Sequence, residues 1–275
     1  MRQVLIIIAK EWRDGIRNRW LVATTGLLAA LALTLAFLGS APTGTVNVSA
    51  LSVTIVSLSS LTIFLIPLMA LLLSYDAIVG EIDRGTMALL LSYPVARWQV
   101  VVGKFFGHLA ILVFATIIGY GLAGLAVQWI AGDDPRAWAA FAFMIATSGM
   151  LGGVFIAIGY LISTVVQDRG TAGGIAIGVW LFFVLIYDMA LLGGLVVDQG
   201  RNLTPQLLNA LLLLNPADVY RLLNLTTTNA VGGFAGVTGL GAHVGLGRLP
   251  LVCALAAWIG VPLATAIATF ARRQV

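Results

Sequence analysis

The chain has 275 residues, of which 60% are hydrophobic and 9% charged, with a net charge of +4 and a mean hydropathy of +1.03. A soluble domain carries about 25% charged residues. So much apolar surface cannot be hidden in one soluble core, and the chain reads as an integral membrane protein. The basic balance would point to nucleic acid in a soluble protein. Here it sits mostly at the ends of apolar runs, where it sets topology. The single cysteine, Cys253, lies inside an apolar run and reads as a small buried hydrophobe, with no disulfide or metal pair.

Residues 1–19 hold seven charges and no small-residue cleavage site after an apolar run, so they do not read as a signal peptide. Leu5, Ile8, Trp12 and Ile16 recur at helical spacing and form one stripe; Lys10, Arg13 and Arg17 form another. This pattern predicts an interfacial amphipathic helix with its charges near the lipid headgroups.

About 20 apolar residues cross a bilayer core. Six such runs follow, at roughly 20–39, 54–75, 105–130, 138–163, 171–197 and 250–271. Assigning the gaps to alternate sides places eleven Lys and Arg on one face and four on the other. The richer face is cytoplasmic by the positive-inside rule, which puts both termini inside.

The stretch 75–108, YDAIVGEIDRGTMALLLSYPVARWQVVVGKFFGH, lies between the second and third runs. It holds a short apolar run at Met87–Leu91, a break at Pro94, then Arg97 and Lys104. A short amphipathic helix wedged between two spans is how a membrane subunit docks onto a motor protein. Thr86–Leu91 would offer the apolar face, Glu81, Asp83 and Arg84 the polar rim, and Gly85 a close approach.

Outside, residues 40–53 are Ser/Thr-rich, and 131–137 form a tight turn between Trp129 and Trp138. Residues 198–249 form a long loop. Its first half is too short to cross twice and too apolar for free solvent, so one or two helices should lie in the outer leaflet or dip into it. Its second half is Gly-rich. Asn47, Asn202 and Asn224 each head an N-x-S/T sequon on this side. Small residues recur four apart at Gly103/Gly107, Gly149/Gly153 and Gly170/Gly174/Gly178, spacings that let membrane helices approach closely.

Asp188 is the one charge well inside a run, roughly 15 Å from its outer end at 1.5 Å per residue. It is either a functional group or a hydrogen-bonded packing acid beside Tyr187. Met69, Met144, Met150 and Met189 are scattered and read as packing rather than a copper path. Neither His108 nor His243 has a carboxylate or His partner at ligand spacing along the chain. No phosphate-cradling loop G-x-x-x-x-G-K-[ST], H-E-x-x-H or G-x-S-x-G motif occurs. The chain therefore does not read as an ATPase or as an enzyme of these classes.

The pattern E-x-x-x-G-T-x-x-x-L-L-x-x-P, present as Glu81, Gly85, Thr86, Leu90, Leu91 and Pro94, resembles the coupling segment of ABC-2 type transporter permeases. The element order resembles theirs over the whole chain. More narrowly, KEWRDGIRNRW (10–20), the stretch 72–108, GVWLFFVLIYDMALL (178–192) and LLLLNPADVYRLLNL (211–225) resemble the membrane subunits of ABC transporters that mature copper-containing nitrous oxide reductase.

The resemblance implies an all-α, six-span permease fold of the type V exporter kind, in a single domain over 1–275. Its parts are an interfacial helix at 1–19, a cytoplasmic coupling segment at 76–104 and a periplasmic subdomain at 198–249. It implies a homodimer in the bacterial inner membrane, a NosF-like ABC ATPase inside and a NosD-like β-helical protein outside. A copper chaperone and nitrous oxide reductase would be indirect partners. The chain itself would bind no cofactor; ATP and Mg would sit on the ATPase.

Gly80, Glu81, Asp83, Arg84, Gly85, Thr86, Leu89, Leu90 and Pro94 are the expected ATPase contacts. Asn215, Pro216, Asp218, Tyr220 and Arg221 are the expected periplasmic docking residues, since Tyr and Arg are enriched at binding hot spots. The cargo, copper or a sulfur species, stays open, as does purely mechanical transmission. So does the rival reading as a general ABC-2 exporter of a lipid-like or drug-like solute.

Overall fold

The structure, a computed structural model, describes residues 2–17, 19–39, 50–131, 135–198, 204–225 and 247–273. Among them every regular element is a helix. That is what lipid demands, because an open backbone cannot be satisfied there. The amphipathic helix is α1 (Arg2–Ile16). It is followed by α2 (Arg19–Gly39), α3 (Ala50–Ser74), the short α4 (Val79–Asp83) and α5 (Thr86–Leu91), α6 (Arg97–Ala131) and α7 (Pro135–Val165). Then come α8 (Arg169–Leu181), a π-helical turn (Phe182–Ile186), α9 (Tyr187–Asp198), α10 (Pro205–Leu213), α11 (Pro216–Leu225) and α12 (Arg248–Arg272).

Five stretches are long and apolar enough to cross a membrane: Thr54–Asp83, Arg97–Trp129, Trp138–Val165, Arg169–Asp198 and Arg248–Arg272. They match the second to sixth expected runs. The first run falls in α2, a helix of 21 residues whose apolar part is Val22–Phe37. At 1.5 Å per residue α2 is about 31 Å long, close to the thickness of a bilayer core.

Helix α7 is the centre of the bundle, with α3, α6, α11 and α12 packed around it. Every residue from Leu151 to Tyr160 is buried, and a helix that is apolar all round belongs in a core. Helix α6 is 35 residues long, about 52 Å. That exceeds a bilayer core of about 30 Å, and its N-terminal part packs against α1 and, through Lys104, reaches Glu81 of α4. The expected Gly103/Gly107 row receives α1. A Cβ at Gly103 would lie 2.8 Å from Ile7 Cβ, and one at Gly107 would lie 2.6 Å from Glu11 Cβ. Gly149 and Gly153 face Val113 and Ile259. In the third row, Gly174 and Gly178 meet nothing within 4 Å.

Helices α10 and α11 form the inserted pair expected of the outer loop. Thr204 caps α10 by accepting from Leu207 N at 3.3 Å, with Pro205 in the first turn. Asn215 stops α10 and starts α11, its Oδ1 accepting from Ala217 N at 3.0 Å. Helix α11 packs against α3, α7 and α12 instead of lying on the leaflet. The Gly-rich residues 226–246, His243, Asn47 and Asn202 lie outside the described residues.

Candidate coupling surface and polar joints

The 75–96 segment is held by side chains from distant helices. The backbone N–H groups of Ile78 and Val79, which α4 cannot satisfy internally, both donate to Ser163 Oγ of α7 at 3.0 Å. Arg169 Nη2 reaches Asp76 at 2.7 Å. Asp168 caps α8 through Thr171 N at 2.7 Å, and that backbone bond holds its carboxyl below the ordinary value. Gly85, at φ 72°, turns the chain between α4 and α5. Met87 is fully buried and anchors α5. Leu89 and Tyr93 are each 68% exposed, with Thr86, Ala88 and Pro94 also exposed beside them. An apolar face on a short polar-flanked helix, standing beyond the spans, is a surface shaped for a partner.

The helix ends nearby are closed by arginines. Arg97 Nη1 donates to the carbonyls of Phe270 and Ala271 at 3.1 Å and to that of Arg273. Arg273 donates to Ser163 O and Thr164 O at 3.2 and 3.0 Å. Orphan carbonyls at the ends of α12 and α7 thus find cations, the favoured partners there. The N-terminal helix, the 75–96 segment and the ends of α6, α7, α8 and α12 therefore meet at one end of the molecule.

Between α1, α4 and α6 lies a buried ion cluster whose members stand far apart along the chain. Lys104 is 3% exposed and binds two carboxylates, Glu11 of α1 at 2.9 Å and Glu81 of α4 at 2.7 Å. His108 Nε2 lies 3.5 Å from Glu11, and its Nδ1 is 2.9 Å from the buried Tyr160 hydroxyl. Burial alone would raise the Glu11 carboxyl. The His108 contact and the Lys104 charge outweigh it and hold Glu11 well below the usual carboxylate range. The cluster forms one wall of a cleft of about 620 Å³ that also reaches Lys10, Asp76 and Arg84.

Glu81, expected at the polar rim, is paired with the buried Lys104, and His108, which has no partner at ligand spacing along the chain, meets the Glu11 carboxylate of another helix. Gly80 is buried too, with Arg169, Asp76 and Arg84 side-chain atoms 3.2–3.4 Å from where a Cβ would stand. Asp83, Arg84 and Gly85 are exposed and Leu90 is half-buried. Within the chain Gly85 faces open space, and its φ of 72° gives it a conformational role.

At the other end, the polar side chains of α11 turn inward. Asp188 of α9 pairs with Arg221 at 2.9 Å, and Arg221 also binds Asp218 at 3.0 Å. Asn215 Nδ2 donates to Asp218 and to the Phe183 carbonyl inside the π-helical turn, both at 3.0 Å. Tyr220 meets Ser148 at 3.1 Å, and Asn224 donates to Thr147 at 3.0 Å. The last carbonyls of α10 are satisfied as well. Leu211 O accepts from Tyr187 at 2.7 Å and Leu213 O from Trp258 at 3.1 Å.

Asn215, Pro216, Asp218 and Tyr220 are therefore buried within the chain, and Arg221 is spent on two carboxylates. The expectation that they form an exposed docking surface is not met. Amphipathic α11 applies its Tyr and Arg to its own spans. Asn224, which heads one of the sequons, is buried by the same packing. Asp188, left open between function and packing, is ion-paired.

The ABC-2 family transporter protein model matches residues 5–275. An ABC transporter permease protein, NosY, of Stutzerimonas stutzeri is 47% identical over 99% of both chains. A protein of the same description from Pseudomonas aeruginosa is 45% identical over the full length of both. The chain belongs to the ABC-2 family of transporter membrane proteins, and it is a multi-pass permease subunit.

Proposed function

For this ABC-2 permease we propose a coupling role. It joins ATP hydrolysis by a NosF-like cytoplasmic ATPase to maturation of the copper sites of nitrous oxide reductase in the periplasm. The reading rests on the near half identity to proteins described as NosY. The one structural observation that supports it most is the exposed α5 face, Leu89 with Tyr93, anchored by Met87. ATP and Mg belong to the ATPase. Two copies of the chain assemble in the inner membrane with both termini inside, and Gly174 and Gly178 leave a small-residue face open to a second copy. A NosD-like protein docks outside, and a copper chaperone acts downstream of it.

Transmission is mechanical in this reading. Lys104 ties the 75–96 segment to α1 and α6, and Asp188–Arg221 ties α9 to the inserted α11. A shift at the inner face then reaches the outer face through elements that move together. The rival, export of a lipid-like or drug-like solute, needs no periplasmic partner.

The test is co-purification and function of Leu89→Asp. Leu89 is exposed, so the chain should reach the membrane at normal levels. ATPase capture and in-cell maturation of nitrous oxide reductase should fall together, at least tenfold. Full maturation by a variant that no longer holds the ATPase would refute the reading.

A further inference from the structure

Helix α1 uses one stripe to dock and leaves another open. Ile7 and Glu11 face the Gly103/Gly107 row, and Gly15 abuts Ile111. Leu5 and Ile16 remain 65% and 45% exposed. Between this open stripe and α6 runs a groove of about 570 Å³, lined by Leu5, Ile8, Ala9, Trp12, Ile16 and Ala110. Trp12 stands edge-on to Phe114 of α6, with ring centroids 5.2 Å apart, and gives the groove a rigid aromatic wall.

Two arginines close one end of the groove. Arg13 and Arg17 are four residues apart, one helical turn, and both are exposed. Neither has a carboxylate within ion-pairing distance among the described residues, whereas Lys10 of the same helix is engaged by Glu11 and Asp14. Two free guanidiniums at the end of an apolar trough, on a helix at the membrane boundary, match a phosphate followed by acyl chains. The guanidinium fork suits phosphate oxygens.

We propose that this groove is a binding site for an anionic phospholipid. Arg13 and Arg17 hold the phosphate and the Leu5–Trp12 trough takes an acyl chain. The site is separate from the ATPase-facing α5 surface and from the buried Lys104 cluster. It would pin α1 to the inner leaflet, so that the cluster works against a fixed helix.

Native mass spectrometry of the full-length chain in detergent, titrated with phosphatidylglycerol or phosphatidylcholine, tests the assignment. The wild-type chain should prefer phosphatidylglycerol by at least tenfold. A basic residue near a lipid surface contributes about fivefold, so Arg13→Gln with Arg17→Gln should weaken phosphatidylglycerol on the order of 25-fold and phosphatidylcholine, whose ammonium already neutralises its phosphate, by much less, erasing the preference.

Ala9→Trp, which fills the trough without touching a charge, should weaken both lipids. Inorganic phosphate at millimolar concentration should not displace the lipid. Complete displacement would mean a site for soluble anions and would refute the lipid assignment. So would equal retention of the two lipids, which would mean apolar adsorption without headgroup selection, or undiminished phosphatidylglycerol binding by the double variant.

Discussion

The two ends of the molecule solve opposite problems with similar chemistry. At the α1 end three separate elements, α1, α4 and α6, are tied by one lysine shared between two carboxylates, and an apolar face at Leu89 and Tyr93 is left open. At the opposite end one packed helix, α11, is tied to the spans by an Asp–Arg–Asp run and by Tyr220 and Asn224. One end keeps a surface free for a partner. The other, over its described residues, spends its polar groups on holding a helix in register with the spans. An amphipathic helix with Tyr and Arg is therefore no sufficient sign of a docking surface in a membrane protein, because the spans themselves offer polar partners.

The sharpest way to break this comparison is at Lys104. Removing one member of a buried ion pair leaves uncompensated charge and costs about 3–5 kcal/mol. Here Lys104→Met would strand Glu81 and leave Glu11 to Lys10 and His108. The thermal midpoint should drop steeply and α1 should become protease-sensitive, while Lys104→Arg should recover most of the loss. A wild-type midpoint for Lys104→Met would show that the cluster is not a joint. Because the Glu11 carboxyl is depressed in the folded chain, its contribution is fully present above the ordinary value near 4.3. It fades only as pH falls toward the lowered one. Protection of α1 against protease should therefore show no Glu11-linked loss on going from pH 8 to pH 5.

The Asp188–Arg221 tie should break more gently, since the two side chains are 24% and 23% exposed. A double-mutant cycle with Asp188→Asn and Arg221→Gln should give a coupling energy of about 0.5–3 kcal/mol, the range for contacting residues. Additive effects would mean that the pair carries no link. In cells, maturation should fall with each single variant at normal membrane levels if α11 must move with α9. Loss of maturation only when the chain itself is lost would return Asp188 to a packing role.

The sequence made the bundle legible because lipid enforces a simple rule: apolar runs of bilayer length become helices. All six runs lie in helices, and the Gly103/Gly107 row marked a true close approach. The joints were hidden because their members are far apart along the chain, 93 residues between Glu11 and Lys104 and 33 between Asp188 and Arg221. No spacing rule reaches that far. One signal was available: Glu11 falls on the same helical stripe as Ile7 and Gly15, so an acid stood on the face opposite a glycine row. The π-helical turn in Phe182–Ile186 has no mark in an apolar run of five residues. Its Phe183 carbonyl is met by Asn215, 32 residues on.

The smallest of these effects distinguishes two explanations of Gly85. Crowding and backbone strain both predict damage on substitution, but they rank the substitutes differently. A Cβ at Gly85 would meet nothing within 4 Å, while its φ is 72°. An L-residue in that left-handed region costs roughly 1–2 kcal/mol. Asn occupies it more readily than Ala because its side chain can hydrogen-bond locally. Strain therefore ranks Gly above Asn above Ala, whereas crowding would favour the smaller Ala over Asn. Thermal midpoints of Gly85→Asn and Gly85→Ala, read with ATPase capture, decide between them. If Gly85→Ala is the milder variant in both, the left-handed turn is not what presents the α5 face, and a contact supplied by the partner ATPase must be what Gly85 makes room for.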